Sequence, residues 1–153
     1  MAELRFGTVL LDLATASTAA RTLIQEYMAG SDAGDDFLLY TLLAVGSESS
    51  PTSLAQRMGA PLTTVSDRLN RLVERGHAER IKNPLDGRSA LFRLTDEGWR
   101  VYRGVQPQFA ELLGNVTERL ELPVEDVRRA LQALEDSLRA ELAAVNEKKT
   151  PAP

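Results

Sequence analysis

Apolar and polar positions alternate most regularly between residues 63 and 75. The apolar residues Val65, Leu69, Leu72 and Val73 recur at the spacing that places side chains on one face of an α-helix. The other faces carry the polar residues Thr63, Thr64, Ser66, Asp67, Arg68, Asn70, Arg71 and Arg75. Hydroxyl, amide and guanidinium groups of this kind read base edges and bind phosphates in DNA grooves. The solvated face of an ordinary core helix has a similar composition, so the neighbouring segments must decide between the two interpretations.

A second short helix is predicted immediately before this one. Ser50 followed by Pro51 is typical of a helix start, and Gly59 ends the helix after Met58. Pro61 then begins the next helix. Two helices joined by a short turn that contains glycine form a helix-turn-helix, whose second helix enters the major groove of DNA.

The residues that follow predict a β-hairpin. Residues 79–82 and 89–94 flank a turn at 83–88, which contains Pro84 and the pair Asp86 and Gly87. A hairpin directly after a recognition helix is a wing, and an arginine at its tip is placed to enter an adjacent minor groove. The candidate DNA contacts in the wing are Lys82, Asp86, Arg88 and Ser89.

The N-terminal third is predicted to be helical. Apolar residues keep helical spacing over residues 9–28, and Gly30 stops that helix. Residues 31–36 form a turn in which Asp35 or Asp36 is available to cap the next element. Residues 37–45 are apolar nearly all round, which indicates a short buried helix, with a buried strand as the alternative.

Two long helices are predicted at the C-terminal end. Thr95 caps a helix over residues 99–120 that is bent or interrupted at Pro107, and Pro123 opens a last helix. The apolar stripe of the last helix is so regular that it requires a partner helix, and little chain is left to cover it. We expect the first and the last two helices to interlock with those of a second copy, the alternative being a monomer that packs them on itself. The candidate interface residues are Leu10, Leu13, Leu131, Leu134, Leu138 and Leu142.

Charge is distributed unevenly along the chain. Residues 51–93 hold eight basic and four acidic residues, a net charge of +4, whereas the other 110 residues hold ten basic and eighteen acidic residues, a net charge of −8. The overall charge of −4 by itself argues mildly against a nucleic-acid partner. A basic central module in an acidic body nevertheless suits a protein that touches a polyanion through one surface only.

Several functions are excluded by what the sequence lacks. Without cysteine there is no disulfide, thiolate zinc site or thiol redox sensor. One histidine and no glycine-rich phosphate loop leave no catalytic or metal-binding constellation, so we expect neither an enzyme nor a cofactor. No apolar run approaches the roughly 20 residues needed to cross a bilayer, and the N-terminus lacks the pattern of a signal peptide. We therefore expect a cytoplasmic protein with no membrane partner.

Residues 54–98 resemble the winged helix-turn-helix of the MarR family of bacterial transcription regulators. The most telling motifs are Leu72-x-x-Arg75-Gly76, Asn83-Pro84-x-Asp86-x-Arg88 and Leu94-Thr95-x-x-Gly98, together with Glu79-Arg80. The resemblance implies a dimeric repressor, less often an activator, that is released from DNA when a small aromatic or anionic compound enters a crevice between the long helices and the winged lobe. It also maps the family's DNA-contacting positions onto Thr63, Thr64, Ser66, Arg68, Arg71 and Arg88. Tyr27, Phe37, Tyr40 and Phe109 are candidates to line the crevice, with core packing as the alternative role for each.

Two positions depart from the family pattern. Asn70 stands where many members have an aspartate that pairs with the wing arginine, so the helix is braced against the wing by a neutral hydrogen bond at most. His77 stands where a large apolar residue is usual. A partly buried structural histidine is one interpretation of His77, and a role in a pH or ligand response is the other.

The sequence therefore predicts a mainly α fold with a small β-hairpin wing, in which the terminal helices form a helical dimerisation lobe. The predicted division is 1–30 for the N-terminal dimerisation helix, 35–98 for the winged helix-turn-helix lobe, 99–147 for the C-terminal dimerisation helices and 148–153 for a disordered tail. The predicted function is sequence-specific binding of an inverted-repeat operator in double-stranded DNA as a homodimer. A winged-helix module that binds another protein, or an architectural DNA-binding protein with little sequence preference, are the alternatives.

Overall fold

The computed structural model describes the backbone of residues 2–86 and 89–149 and the side chains of residues 7–86 and 89–146. Within them the chain is mainly helical and contains one antiparallel hairpin, which confirms the predicted fold class. The elements are α1 (Ala2–Met28), a 3₁₀ turn (Gly34–Asp36), α2 (Phe37–Gly46), α3 (Pro51–Met58), α4 (Leu62–Glu74), β1 (Ala78–Lys82), β2 (Ala90–Leu94), α5 (Asp96–Thr117) and α6 (Val124–Lys149). Residues 37–45 are thus helical, and the strand alternative is wrong.

Local signals set the limits of α3. The Ser50 hydroxyl accepts a hydrogen bond of 3.2 Å from the Ser53 amide, and Pro51 occupies the first turn, where its missing N–H is not needed. Gly59 ends the helix with φ of +57°, and the Ala60 amide returns to the Ala55 carbonyl at 3.1 Å. Helix α3 therefore has the predicted bounds.

Helix α4 buries one apolar face in the core, and β1 and β2 pair as an antiparallel hairpin. Val65, Leu69 and Leu72 are fully buried, whereas Val73 is 37% exposed, so its predicted place in the apolar stripe is wrong. Val73 lies one residue beyond Leu72, and a step of about 100° turns its side chain away from the core. In the hairpin, Ala78 pairs with Leu94 and Lys82 pairs with Ala90.

A close junction joins the end of α4 to the start of α5. Thr95 caps α5, because its hydroxyl oxygen accepts a hydrogen bond from the Gly98 amide at 3.1 Å. The same hydroxyl donates to the Gly76 carbonyl at 2.6 Å, and the Thr95 amide donates to the His77 carbonyl at 3.1 Å. A Cβ at Gly98 would lie 1.9 Å from the His77 carbonyl oxygen, so only glycine fits this approach.

The two C-terminal helices differ from the prediction in extent. Helix α5 continues through Pro107, so the predicted interruption is absent. Val105 on one side of the proline is buried and Phe109 on the other packs on the core, and this packing offsets the lost backbone hydrogen bond. Helix α6 ends at Lys149, which corrects the expectation of disorder for residues 148 and 149, because no helix breaker precedes Pro151. Residues 150–153 of that predicted tail lie outside the described part.

The chain forms two compact units, residues 1–110 and residues 111–153. The first holds the hydrophobic core, in which Met28, Phe37, Tyr40, Leu54 and Leu69 are among the buried side chains. The second consists of the end of α5 and helix α6. Leu131, Leu138 and Leu142 on α6 are exposed in the single chain, and Leu134 is half-buried.

Candidate nucleic-acid interface

The outer face of α4 is polar and open to solvent. Thr63, Asp67, Asn70 and Arg71 follow one another at helical spacing, and all four are exposed. Thr64 is also exposed, and Ser66 is half-buried at the edge of this face. Because the opposite side of α4 is buried in the core, the orientation of this face is set by packing. We call Thr63, Thr64, Ser66, Asp67, Asn70 and Arg71 the outer face of α4.

Arg68 and Arg75, which were also predicted as DNA contacts, do not belong to this face. The Arg68 guanidinium donates to the Asp35 carbonyl at 2.9 Å and lies 3.8 Å from a carboxylate oxygen of Asp36. Arg75 donates to the other carboxylate oxygen of Asp36 at 3.4 Å. Positions 68 and 75 are two helical turns apart and share their side of α4 with buried Leu72, so both side chains are directed along the body of the protein.

Asp36 also departs from its predicted role. It occupies the position before α2, but its side chain makes no capping hydrogen bond. The residue is only 4% exposed, and its carboxylate is directed toward the two arginines of α4. The alternative cap, Asp35, is exposed and contributes its backbone carbonyl to Arg68.

The N-terminal end of α4 presents backbone donors. Pro61 precedes the helix, and no side chain caps it. The first amides of a helix lack intrahelical acceptors and carry the positive end of the helix dipole, so this end of α4 attracts anions. The exposed Thr63 and Thr64 stand beside these amides.

The hairpin turn is organised by its own side chains. Asn83 donates from its amide nitrogen to the Ser89 hydroxyl at 2.7 Å and accepts from the Leu85 amide at 3.0 Å. The Ser89 hydroxyl donates in turn to the Asp86 carbonyl at 3.2 Å. Ser89, predicted as a DNA contact, therefore has a structural role in the turn, and its partner Asn83 is not among the predicted site residues.

The other predicted wing residues are placed as follows. Lys82 and Asp86 are exposed, whereas Arg88 lies outside the described residues. Arg80 is exposed two residues before Lys82 on β1 and was missed as a candidate, although the period of two along a strand could have identified it. Arg71, Arg80 and Lys82 make no ion pair within the described part of the chain, so three cations are open to an external anion.

The four aromatic residues proposed for a ligand crevice do not line one together. Phe37 and Tyr40 are fully buried, and the Phe37 ring packs against Phe109 with centroids 4.5 Å apart. Tyr27 packs against the same core, and its carbonyl accepts a hydrogen bond of 2.9 Å from Gln108. Burial of apolar side chains is favourable, and both Phe37 and Tyr40 pack in the core.

A small cavity of about 120 Å³ does exist beside these residues, between α1, the 3₁₀ turn, α2 and α4. Of the four aromatics only Phe37 reaches it. Its polar lining includes Arg21, Gln25, Thr64 and Arg68. Arg21 makes no ion pair among the described residues, so the cavity wall carries a cation without a partner.

His77 connects α4 to the core. Its Nδ1 atom lies 2.6 Å from the hydroxyl of Tyr40, and its backbone amide donates to the Leu72 carbonyl at 2.8 Å. Burial raises the pKa of Tyr40 to about 12, although the nearby Arg75 guanidinium opposes the shift. The phenol therefore keeps its proton at neutral pH and forms a hydrogen bond with the imidazole.

The described side chains contain no group of three or more His, Asp or Glu residues that could hold a metal ion. In the same part of the chain, no helix combines the length and the apolar character needed to span a membrane.

Comparisons with known proteins place this geometry in context. A family model described as MarR family matches residues 37–89, from the start of α2 to the end of the hairpin turn. No protein with a curated description matches the sequence significantly.

Solved structures match nearly the whole chain. The transcriptional regulator BldR from Sulfolobus solfataricus is 16% identical with a TM-score of 0.75, over 87% of this chain and 96% of that one. A mutant of MarR from E. coli, solved in complex with operator DNA, is 24% identical with a TM-score of 0.58, over 84% of this chain and 93% of that one. The PcaV regulator from Streptomyces coelicolor, solved with its natural ligand, is 23% identical with a TM-score of 0.58, over 86% of this chain and 89% of that one. At these identities the likeness concerns the fold.

Proposed function

We propose that the chain is a transcription regulator of the MarR family, and that it is a sequence-specific DNA-binding repressor that acts as a homodimer on an inverted repeat. The observation that carries this proposal is the outer face of α4. It presents hydroxyl, amide, carboxylate and guanidinium groups to solvent, while the opposite face is anchored in the core. A helix held in this way can enter a major groove without losing its own packing.

Each part of the surface has a distinct role in this proposal. Arg71 and Asn70 are long enough to form paired hydrogen bonds with guanine and adenine edges. Thr63, Thr64 and the free amides at the start of α4 bind the phosphate backbone. Arg80 and Lys82 on β1 extend the cationic surface toward the neighbouring backbone.

The homodimer is supported by apolar surface that the single chain leaves exposed. Leu10 on α1 is exposed in the first unit, and Leu131, Leu138 and Leu142 are exposed in the second. Apolar stripes on long helices are stabilised by partner helices, and a two-fold dimer repeats the same contacts on both subunits. Two copies of α4 would then address successive major-groove faces about 34 Å apart, which is why the proposed operator is an inverted repeat.

The proposed effector is a small aromatic anion, and the cavity of about 120 Å³ is its candidate site. Arg21 offers the cation and Phe37 the aromatic contact. To lower DNA affinity a hundredfold, the effector must favour the non-binding conformation by about 2.7 kcal/mol. Benzoate is a suitable probe: it should weaken DNA binding by the wild-type protein and not by Arg21→Gln, whereas an equal effect on both proteins would exclude this cavity.

DNA titration tests the main proposal. Fragments from the intergenic regions beside the gene are titrated by fluorescence anisotropy from low to physiological salt, and affinity should fall steeply with salt because phosphate contacts release counterions. Arg71→Ala should weaken specific binding by about 1–3 kcal/mol. Arg119→Ala, an exposed arginine in the turn after α5, is the matched control and should bind as the wild type does.

Three results would overturn the proposal. If no fragment is bound at low salt, the winged lobe binds another protein instead. If all fragments are bound equally, the protein is an architectural DNA-binding protein. If Arg71→Ala and Arg119→Ala lose affinity equally, the outer face of α4 does not read the DNA.

A further inference from the structure

We propose that Asp36 is a positioning residue for DNA binding, which holds α4 in its binding orientation through Arg68 and Arg75, and that these two arginines do not themselves contact DNA. The inference rests on the proposed DNA-binding function and deepens it. Of the eight residues predicted to contact DNA from α4, Arg68 and Arg75 are then paired with Asp36 within the protein instead. No sequence motif pointed to Asp36, because it precedes these arginines by 32 and 39 residues.

A carboxylate as buried as that of Asp36 is costly unless opposite charges and hydrogen bonds compensate it. Asp36 does not cap α2, and among the described residues nothing donates a hydrogen bond to its Oδ1 atom. The two guanidinium groups of α4, at 3.8 and 3.4 Å, are therefore the groups that compensate this charge.

Arg68 and Arg75 are separated by seven residues, or about 10.5 Å along the helix axis, and they approach the same carboxylate from the two ends of this interval. Apolar packing of Leu69 and Leu72 holds α4 against the core, and the two charged contacts add restraints on sliding and rotation to this packing. Two such contacts at separated points restrain both movements.

The Arg68 side chain is only 25% exposed. Its guanidinium also donates a hydrogen bond to the Asp35 carbonyl, so Arg68 contacts both acidic residues of the 3₁₀ turn. Reaching a phosphate would require Arg68 to give up both acceptors and leave Asp36 with Arg75 alone. Arg71, by contrast, lies on the outer face of α4, and it makes no ion pair among the described residues.

Salt dependence separates the two kinds of arginine. Operator affinity is measured by anisotropy over a range of salt concentrations for the wild type, Arg68→Gln, Arg75→Gln and Arg80→Gln. A phosphate-contacting arginine contributes about 0.9 to the slope of log affinity against log salt. We expect Arg80→Gln, which removes a proposed backbone contact, to lower the slope by about this amount, whereas Arg68→Gln and Arg75→Gln keep the wild-type slope and weaken binding by about fivefold at every salt concentration.

A double-mutant cycle tests whether Asp36 acts through the arginines. Asp36→Asn and Arg75→Gln remove the same contact, so the double variant should bind no more weakly than Asp36→Asn alone. Urea denaturation of each variant establishes that the folded fraction at the assay temperature exceeds 99%, so that loss of affinity reports orientation and not unfolding. Should Asp36→Asn fail to fold, the slopes of Arg68→Gln and Arg75→Gln still decide the matter.

A slope lowered by about 0.9 in Arg68→Gln or Arg75→Gln would overturn the inference, as would wild-type affinity in both variants. Failure of the proposed function looks different: the wild type itself would show no salt-dependent DNA binding, or Arg71→Ala would bind as the Arg119→Ala control does.

Discussion

The hydroxyl of Tyr40 and Nδ1 of His77 lie 2.6 Å apart, which joins the middle of α2 to the residue between α4 and β1. Tyr40 is fully buried and His77 is half-buried. The hydrogen bond explains how a polar residue is accommodated where an apolar one was expected from the family pattern. The His77 imidazole provides the hydrogen-bond partner of the buried Tyr40 hydroxyl, and the His77 backbone carbonyl accepts a hydrogen bond from the Thr95 amide.

Removing the Tyr40 hydroxyl should destabilise the fold. Tyr40→Phe keeps the packed ring but leaves His77 without this partner, so the free energy of unfolding should fall by about 1 kcal/mol in urea denaturation. Tyr102→Phe is the matched control, because the Tyr102 hydroxyl makes no hydrogen bond within the described residues. Equal losses in the two variants would show that the hydrogen bond contributes nothing specific.

The raised pKa of Tyr40 predicts a loss of stability in strong alkali. The folded protein holds the phenol proton up to a pKa of about 12, whereas an unfolded tyrosine loses it near pH 10. Between these values the folded state binds more protons than the unfolded state, so the free energy of unfolding falls as pH rises, by at most about 1.4 kcal/mol per pH unit. Urea denaturation from pH 9 to 12 should show a smaller decline for Tyr40→Phe, and parallel curves would contradict the assignment.

Gly98 should tolerate no side chain. In Gly98→Ala the new Cβ would lie 1.9 Å from the His77 carbonyl oxygen and 2.9 Å from its carbon, so backbone must move and the free energy of unfolding should fall by about 1–3 kcal/mol. Gly104→Ala, in the same helix, meets no atom within 4 Å and should instead raise it by about 0.5–1 kcal/mol. Thermal or urea unfolding of both variants tests this contrast, and a stable Gly98→Ala protein would refute the close junction.

The proposed dimer should dissociate when a charge is placed on the apolar stripe of α6. Leu138→Glu would bury an unpaired carboxylate from each subunit, which costs several kcal/mol, so the dimer dissociation constant should rise by about two orders of magnitude or more. Sedimentation velocity over a concentration series measures the change. Val45→Glu replaces an exposed apolar residue at the end of α2 and should leave the dimer intact. A monomeric wild type, or a dimeric Leu138→Glu protein, would exclude α6 as the interface.

The sequence by itself determined the features that depend on neighbouring residues. Ser50, Pro51 and Gly59 set both ends of α3, because a cap, a first-turn proline and a left-handed glycine act within one helical turn. The fold class was also predictable from helical periodicity and from the turn residues of the hairpin.

Only the tertiary structure decided which polar groups of α4 face outward. Periodicity separates the apolar stripe from the rest of a helix, but it cannot show that Arg68 and Arg75 meet a carboxylate more than 30 residues away. The same limit applies to the hydrogen bond between Tyr40 and His77, and to the burial of Phe37 in the core. In each case the packing of the helices decides whether a side chain faces solvent or contacts a residue far away in the sequence. Such contacts form only when the chain folds, because folding buries these groups and brings their partners close.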